Sequence, residues 1–256
     1  MENLKITGDR IETVKLDAER MLLIASASMK NALVSIVSAL MFMPLIGLAA
    51  GRQVTVITSL PFTISSPGIY VLDSDLTVSG SDAIDVNTPD VVINLNGYSI
   101  VGSNGSFGVS AGQVANVIVE NGRISGFATA VQLGSYSVAR DLVGSDDEGI
   151  SVQGSDCVVK DCILQGTGNS TANGAGIGIE STSRCEVTGC RVSGFLLGIA
   201  SFGSSEDDAI IHNFVTNCKL GLSLSRTDCY QGNVATGCTK AFSTSGIEIG
   251  HENGHN

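Results

Sequence analysis

From Ala83 onward, apolar and polar residues alternate in short runs, and the runs recur. Ala83-Ile84-Asp85-Val86 precedes Val92-Ile93-Asn94-Leu95-Asn96-Gly97, and Gly108-Val109-Ser110-Ala111 precedes Val117-Ile118-Val119-Glu120-Asn121-Gly122. The apolar mark returns at Ile84, Val109, Val131, Ile150, Ile177, Ile199, Leu222 and Phe242, at steps of 19 to 27 residues. A repeat of that period is the signature of a solenoid. In the first run of each unit Ile84/Val86, Val131/Leu133, Ile150/Val152, Ile177/Ile179 and Leu222/Leu224 point one way, and Asp85, Gln132, Ser151, Gly178 and Ser223 the other. Alternation with period two makes a strand with one dry and one wet face. Each unit reads as two or three such strands joined by turns.

Aligning the second runs on Val119, Ala139, Val159, Val187 and Ile211 brings Glu120, Arg140, Lys160, Thr188 and His212 into one outward column. Stacked coils lie about 4.8 Å apart, so Glu120 over Arg140 is expected to form a surface ion pair, and His212 to be solvated. The outward row of the first strands, Asp85, Ser110, Gln132, Ser151, Gly178, Ala200, Ser223 and Ser243, predicts a flat wet stripe with no aromatic platform for a sugar ring.

Residues 51–82 read as an N-terminal cap and first coil, because Pro and Gly break the short runs between Val54 and Leu76. A solenoid needs an atypical end unit to hide its apolar end. Residues 83–256 read as the repeats. Their last run, Ile247-Glu248-Ile249, has no evident cap, which predicts homo-oligomers formed end to end.

Three segments carry a resemblance: Leu60-Pro61-Phe62-Thr63-Ile64-Ser65-Ser66-Pro67-Gly68-Ile69-Tyr70-Val71-Leu72, Asp90-Val91-Val92-Ile93-Asn94-Leu95-Asn96-Gly97-Tyr98-Ser99-Ile100-Val101-Gly102 and Asn121-Gly122-Arg123-Ile124-Ser125-Gly126. The chain from about Val54 to Ile249 resembles secreted bacterial right-handed parallel β-helix proteins of the pectate-lyase-like superfamily. The resemblance implies an all-β fold, a single right-handed parallel β-helix, or β-solenoid, of about eight coils. It says little of activity, because that scaffold hosts lyases, hydrolases, epimerases and adhesins alike.

Composition narrows the partners. Aromatics are 5% of the chain and Trp is absent, while Gly numbers 31, which suits short strands and tight turns. The net charge is -11, and from Gly51 onward 9 Lys and Arg face 20 Asp and Glu. Such a surface repels nucleic acid and anionic membranes. Residues 29–50, with an apolar run from Ala32 to Ala50 that ends in small residues, read as a secretory signal peptide cleaved near Ala49 or Ala50. The rival is an uncleaved membrane anchor, the one route to a membrane. Residues 1–28 read as a leader upstream of a true start at Met29, with Met21 the alternative. A secreted, extracellular or periplasmic protein follows.

The seven cysteines lie beyond Gly154. Cys157 and Cys162 recur as Cys185 and Cys190, which predicts that Cys157 stacks on Cys185 and Cys162 on Cys190, as disulfides or as a buried thiol ladder. His251-Glu252-Asn253-Gly254-His255 spells a zinc-protease motif, but Gly254 weakens the helix that motif requires. Gly174-Ala175-Gly176-Ile177-Gly178 leads into a β repeat, where a dinucleotide loop would open a helix.

Acidic residues supply the remaining chemistry. The position three before Val159, Val187, Ile211 and Gln231 gives a column of Asp156, Arg184, Asp208 and Asp228. Asp208 over Asp228, with Asp207 beside them, is a like-charge stack that raises a carboxyl pKa or attracts a cation, calcium being the fitting ion. The resemblance implies calcium-holding carboxylates on neighbouring coils with an arginine base nearby, a part for Arg184 or Arg226. No complete catalytic motif of the family is present, and a solvated acidic edge accounts for the same residues. The favoured reading is a structural, adhesive or glycan-interacting protein that meets polysaccharide or a cell-surface glycan. The alternative is a calcium-assisted polyuronate lyase or related glycoside hydrolase.

Overall fold

The computed structural model describes residues 53–167, 174–180, 182–225, 227–244, 246–248 and 253–255, and over these the chain winds as a parallel β-solenoid of about eight turns. The expectations for residues 1–50, Arg226, His251 and Glu252 lie outside the described residues. Every strand pairing between coils is parallel. Each coil crosses three faces. Face A holds the strands Phe62–Ile64, Ile84–Val86, Glu148–Val152, Ala175–Glu180, Leu197–Phe202, Leu220–Leu224 and Lys240–Thr244. Face B runs from Val54–Ile57 to Ile247–Glu248, and face C from Leu76–Ser79 to Gly254–His255. The long strands Ser99–Ala111 and Val117–Leu133 bend around corners and serve more than one face.

The periodic aliphatic mark is the inner column of face A. Ile84, Val109, Val131, Ile150, Ile177, Ile199, Leu222 and Phe242 stack in register, and the first seven are fully buried. Each such side chain contributes about 1.5–3 kcal/mol, and no coil can bury its column without the next.

Corners explain the polar residues between runs. At the A-to-B corner Asp90, Asn116, Tyr136, Asp156, Arg184 and Asp207 all take φ between 57° and 63°. At the B-to-C corner Asn121, Asp141, Asp161, Gly189, His212 and Gly232 take φ between 53° and 67°. One left-handed residue turns the chain sharply, and Asn, Asp and Gly adopt that conformation at least cost.

One register differs from the sequence expectation. Val187 pairs with Ile210, so Thr188 lies beside Ile211, and His212 moves from the Glu120 column to the corner. The sequence Ala209-Ile210-Ile211 offers two adjacent isoleucines for one inward position, and periodicity cannot choose between them. The corner chooses: with Asp207 in the left-handed turn, Asp208 and Ile210 point inward. Glu120 and Arg140 pair as expected, at 2.5 Å.

Candidate functional site

The shifted register separates the predicted acidic column into two. Asp156, Arg184 and Asp207 form the outward one, and Arg184 holds Asp156 through Nε at 2.8 Å and Nη2 at 2.7 Å. Its hydrogen bond to Asp156, followed by the charge of that carboxylate, raises the arginine pKa, and the same bond lowers that of Asp156. Arg184 is thus an exposed cation locked in an ion pair.

Asp208 and Asp228 belong to the inward column, on top of Cys157 and Cys185, and both are fully buried. Each braces the coil before it: Asp208 Oδ1 accepts the N–H of Cys185 at 2.8 Å, and Asp228 Oδ1 accepts that of Asp208 at 3.4 Å. Asp228 Oδ2 also accepts from Ser201 Oγ at 2.6 Å and the Ser225 N–H at 2.8 Å. Burial pushes the Asp208 carboxyl up to about 7, against the pull of the Cys185 N–H and with a smaller push from Asp228. Asp207 is exposed on the other side of the backbone, so the three carboxylates do not converge. Among the described residues no three His, Cys, Asp or Glu side chains could hold a metal ion. Calcium therefore does not fit Asp207, Asp208 and Asp228 as a set.

A second ladder, missed in the sequence, runs along the B-to-C corner. Cys190 N–H bonds to Asn213 Oδ1 at 2.9 Å, Asn213 N–H to Asn233 Oδ1 at 3.0 Å, and Asn233 N–H to Asn253 Oδ1 at 2.9 Å. The signal was the spacing of Asn213, Asn233 and Asn253, one asparagine every 20 residues. Cys157, Cys185, Cys162 and Cys190 are buried, and all seven cysteines are free thiols. The neighbouring thiol and burial together raise the pKa of Cys157 and of Cys162.

The outward row of face A is not the bare stripe expected. Ser151 and Ala200 are buried, and a Cβ on Gly178 would meet the Phe202 ring at 3.3 Å and Glu148 Oε1 at 3.4 Å. Glu180 accepts from Ser151 Oγ at 2.9 Å, and Glu148 from Thr129 Oγ1 at 2.9 Å. Burial raises the Glu148 pKa, the Thr129 bond opposes this, and Glu180 adds to it. Two carboxylates on successive coils thus sit beside an aromatic wall, because Phe202 lies directly across the ladder from Glu180. Face C presents a further aromatic: Phe214 is 41% exposed, with the Arg191 guanidinium 5.9 Å from its ring centre.

At the N-terminal end of face A lies a groove of about 510 Å³, lined by Pro61, Thr63, Asp82, Asp85, Asn104 and Ser106 together with small residues. Local sequence creates it. Gly80 and Asn104 turn the corner with φ of 73° and 60°, and the pairing of Ser99–Ala111 with the next strand slips between Val101 and Gly105. The slipped corner makes one wall, through Asn104, Gly105 and Ser106. Asp82 fixes that wall, its Oδ1 accepting the N–H groups of Ser106 at 3.0 Å and Phe107 at 2.8 Å. Asp85 lines the groove from the strand Ile84–Val86 of face A. Burial, then the nearby Asp82 charge, raises its pKa.

No protein-family model matches the chain, and no curated protein is significantly similar to it.

Proposed function

We propose that the chain is a secreted or cell-surface β-solenoid of the pectate-lyase-like kind that binds glycans as a non-catalytic scaffold. The groove beside Asp85 carries this reading. It has the size of a ligand site, it lies on the outward side of a rigid sheet, and hydroxyl, amide and carboxylate groups line it. Asp208 and Asp228 face inward and brace backbone N–H groups, a role in holding coils together. The test is a glycan array probed with the full chain, followed by a screen of polyuronates with and without calcium for unsaturated products. Saccharide binding without turnover supports the scaffold, and a blank array removes it.

Glu148 and Glu180 favour a second reading, a glycoside hydrolase. They are two half-buried carboxylates on neighbouring coils, and acid–base hydrolysis works through a carboxylate pair. Under this reading a polysaccharide is cleaved and Glu180→Gln lowers the rate by at least about 100-fold. Cleavage that survives Glu180→Gln places the chemistry elsewhere.

A further inference from the structure

We propose that the groove at Asp82 and Asp85 selects saccharides that carry protonated amines, glucosamine-type oligomers in preference to neutral or uronate ones. The inference rests on the glycan-binding reading above and adds the chemical class of the ligand.

The lining decides the class. Thr63, Ser106 and the Asn104 amide can exchange hydrogen bonds with sugar hydroxyls of any saccharide, and the Pro61 ring gives a small apolar surface. Those groups do not discriminate by charge. The two carboxylates do, and among the described lining residues there is no Lys, Arg or His to balance them. A uronate brought here meets like charge at short range, whereas an ammonium group donates charge-assisted hydrogen bonds.

The carboxylates are also prepared for such a donor. Asp82 is held through Oδ1 by two backbone N–H groups of the next coil, so its direction is fixed before a ligand arrives. Little ordering entropy is then lost on binding. The Asp85 carboxylate makes no side-chain hydrogen bond to another described residue, while its backbone stays in the ladder between Thr63 and Ser110. Its raised pKa has burial as the larger cause and the Asp82 charge as the second, and a cation placed between the two carboxylates relieves that second contribution. The protein's net charge of -11 draws a polycation towards the groove from a distance.

The test is an NMR titration of the full chain near pH 6.5 with tetramers of glucosamine, N-acetylglucosamine and galacturonate. The glucosamine tetramer is expected to bind about tenfold more tightly than its acetylated counterpart, to shift the amides of Asn104 and Ser106, and to weaken with added salt. Asp85→Asn is expected to abolish the preference while leaving the fold intact, because the Asp85 carboxylate braces no other described residue and the backbone pairing does not depend on it. Equal affinity for the acetylated tetramer, a preference that survives Asp85→Asn, or shifts confined to another face would each overturn the proposal. Binding of the neutral or acidic tetramer alone overturns it and leaves the glycan-binding reading standing. Binding of none of the three tetramers, with a blank array, removes both.

Discussion

Asp208 accepts the N–H of Cys185 through one oxygen, and its second oxygen is buried with no hydrogen-bond partner among the described residues. Asn213 stands in the matching place on Cys190, where its Nδ2 donates to the Val187 carbonyl at 2.9 Å and to Asn233 Oδ1 at 3.0 Å. The amide completes a ladder position that the carboxylate leaves half made.

That contrast sets a pH dependence. An acid whose folded pKa is raised to about 7 binds its proton more tightly folded than unfolded. Its stabilisation is complete below the ordinary carboxyl range near pH 4 and is lost as pH rises through about 7. Asp146, buried and also raised to about 7 by burial, acts in the same direction. The melting temperature should therefore fall from about pH 4.5 to pH 8.5, with Asp208 contributing on the order of 1–3 kcal/mol. Asp208→Asn should flatten part of this slope, while Asp161→Asn, an exposed change of the same charge, should leave it. Equal slopes for the two variants would show that Asp208 titrates normally.

Asn233 joins three coils. Its Oδ1 accepts from the backbone and side chain of Asn213, both at 3.0 Å, and its Nδ2 donates to the Ile210 carbonyl at 2.8 Å. Asn233→Leu keeps the volume but strands buried donors and an acceptor, each costing about 1–3 kcal/mol. Urea denaturation should show a loss of about 2–4 kcal/mol. A loss below about 0.5 kcal/mol would show that water reaches the corner.

How much of this was legible in the sequence depends on the kind of signal. The inner column from Ile84 to Phe242 could be read directly, because burial of one residue per coil fixes a period that no surface pressure disturbs. The register at Ile210 could not, since Ile211 fits the alternation equally well and a backbone turn at Asp207 makes the choice. The groove was hidden for a related reason. It depends on a strand slip between Val101 and Gly105, and alternation patterns carry no information about slips. Glu148 stands in the sequence only as the last of three consecutive acidic residues, Asp146-Asp147-Glu148. Glu180 and Phe202 became neighbours of that site through ladder pairing, which a linear sequence does not display.

The cysteines give a direct count. Five are buried, while Cys229 and Cys238 are half-buried. A thiol reagent added to the native protein should modify Cys229 and Cys238 first, and all 7 thiols should react after denaturation without reductant. A denatured count lower by two or four would reveal disulfides, with Cys157–Cys185 and Cys162–Cys190 the pairs to examine by mass spectrometry.

Tyr136 occupies a corner where its neighbours in the column are Asn116 and Asp156. Its φ is 57° and it is 63% exposed, so the ring contributes little burial in return for a left-handed backbone. That conformation costs an ordinary side chain about 1–2 kcal/mol, and less for asparagine, whose short amide bonds locally. Tyr136→Asn should therefore stabilise the solenoid by about 0.5–1 kcal/mol, read as a higher urea midpoint with an unchanged slope. Asn116→Tyr, the reverse change one coil earlier, should destabilise by more, because Asn116 also donates a side-chain hydrogen bond to Asp90. If both variants move stability in the same direction, corner conformation is not what sets residue choice in this column.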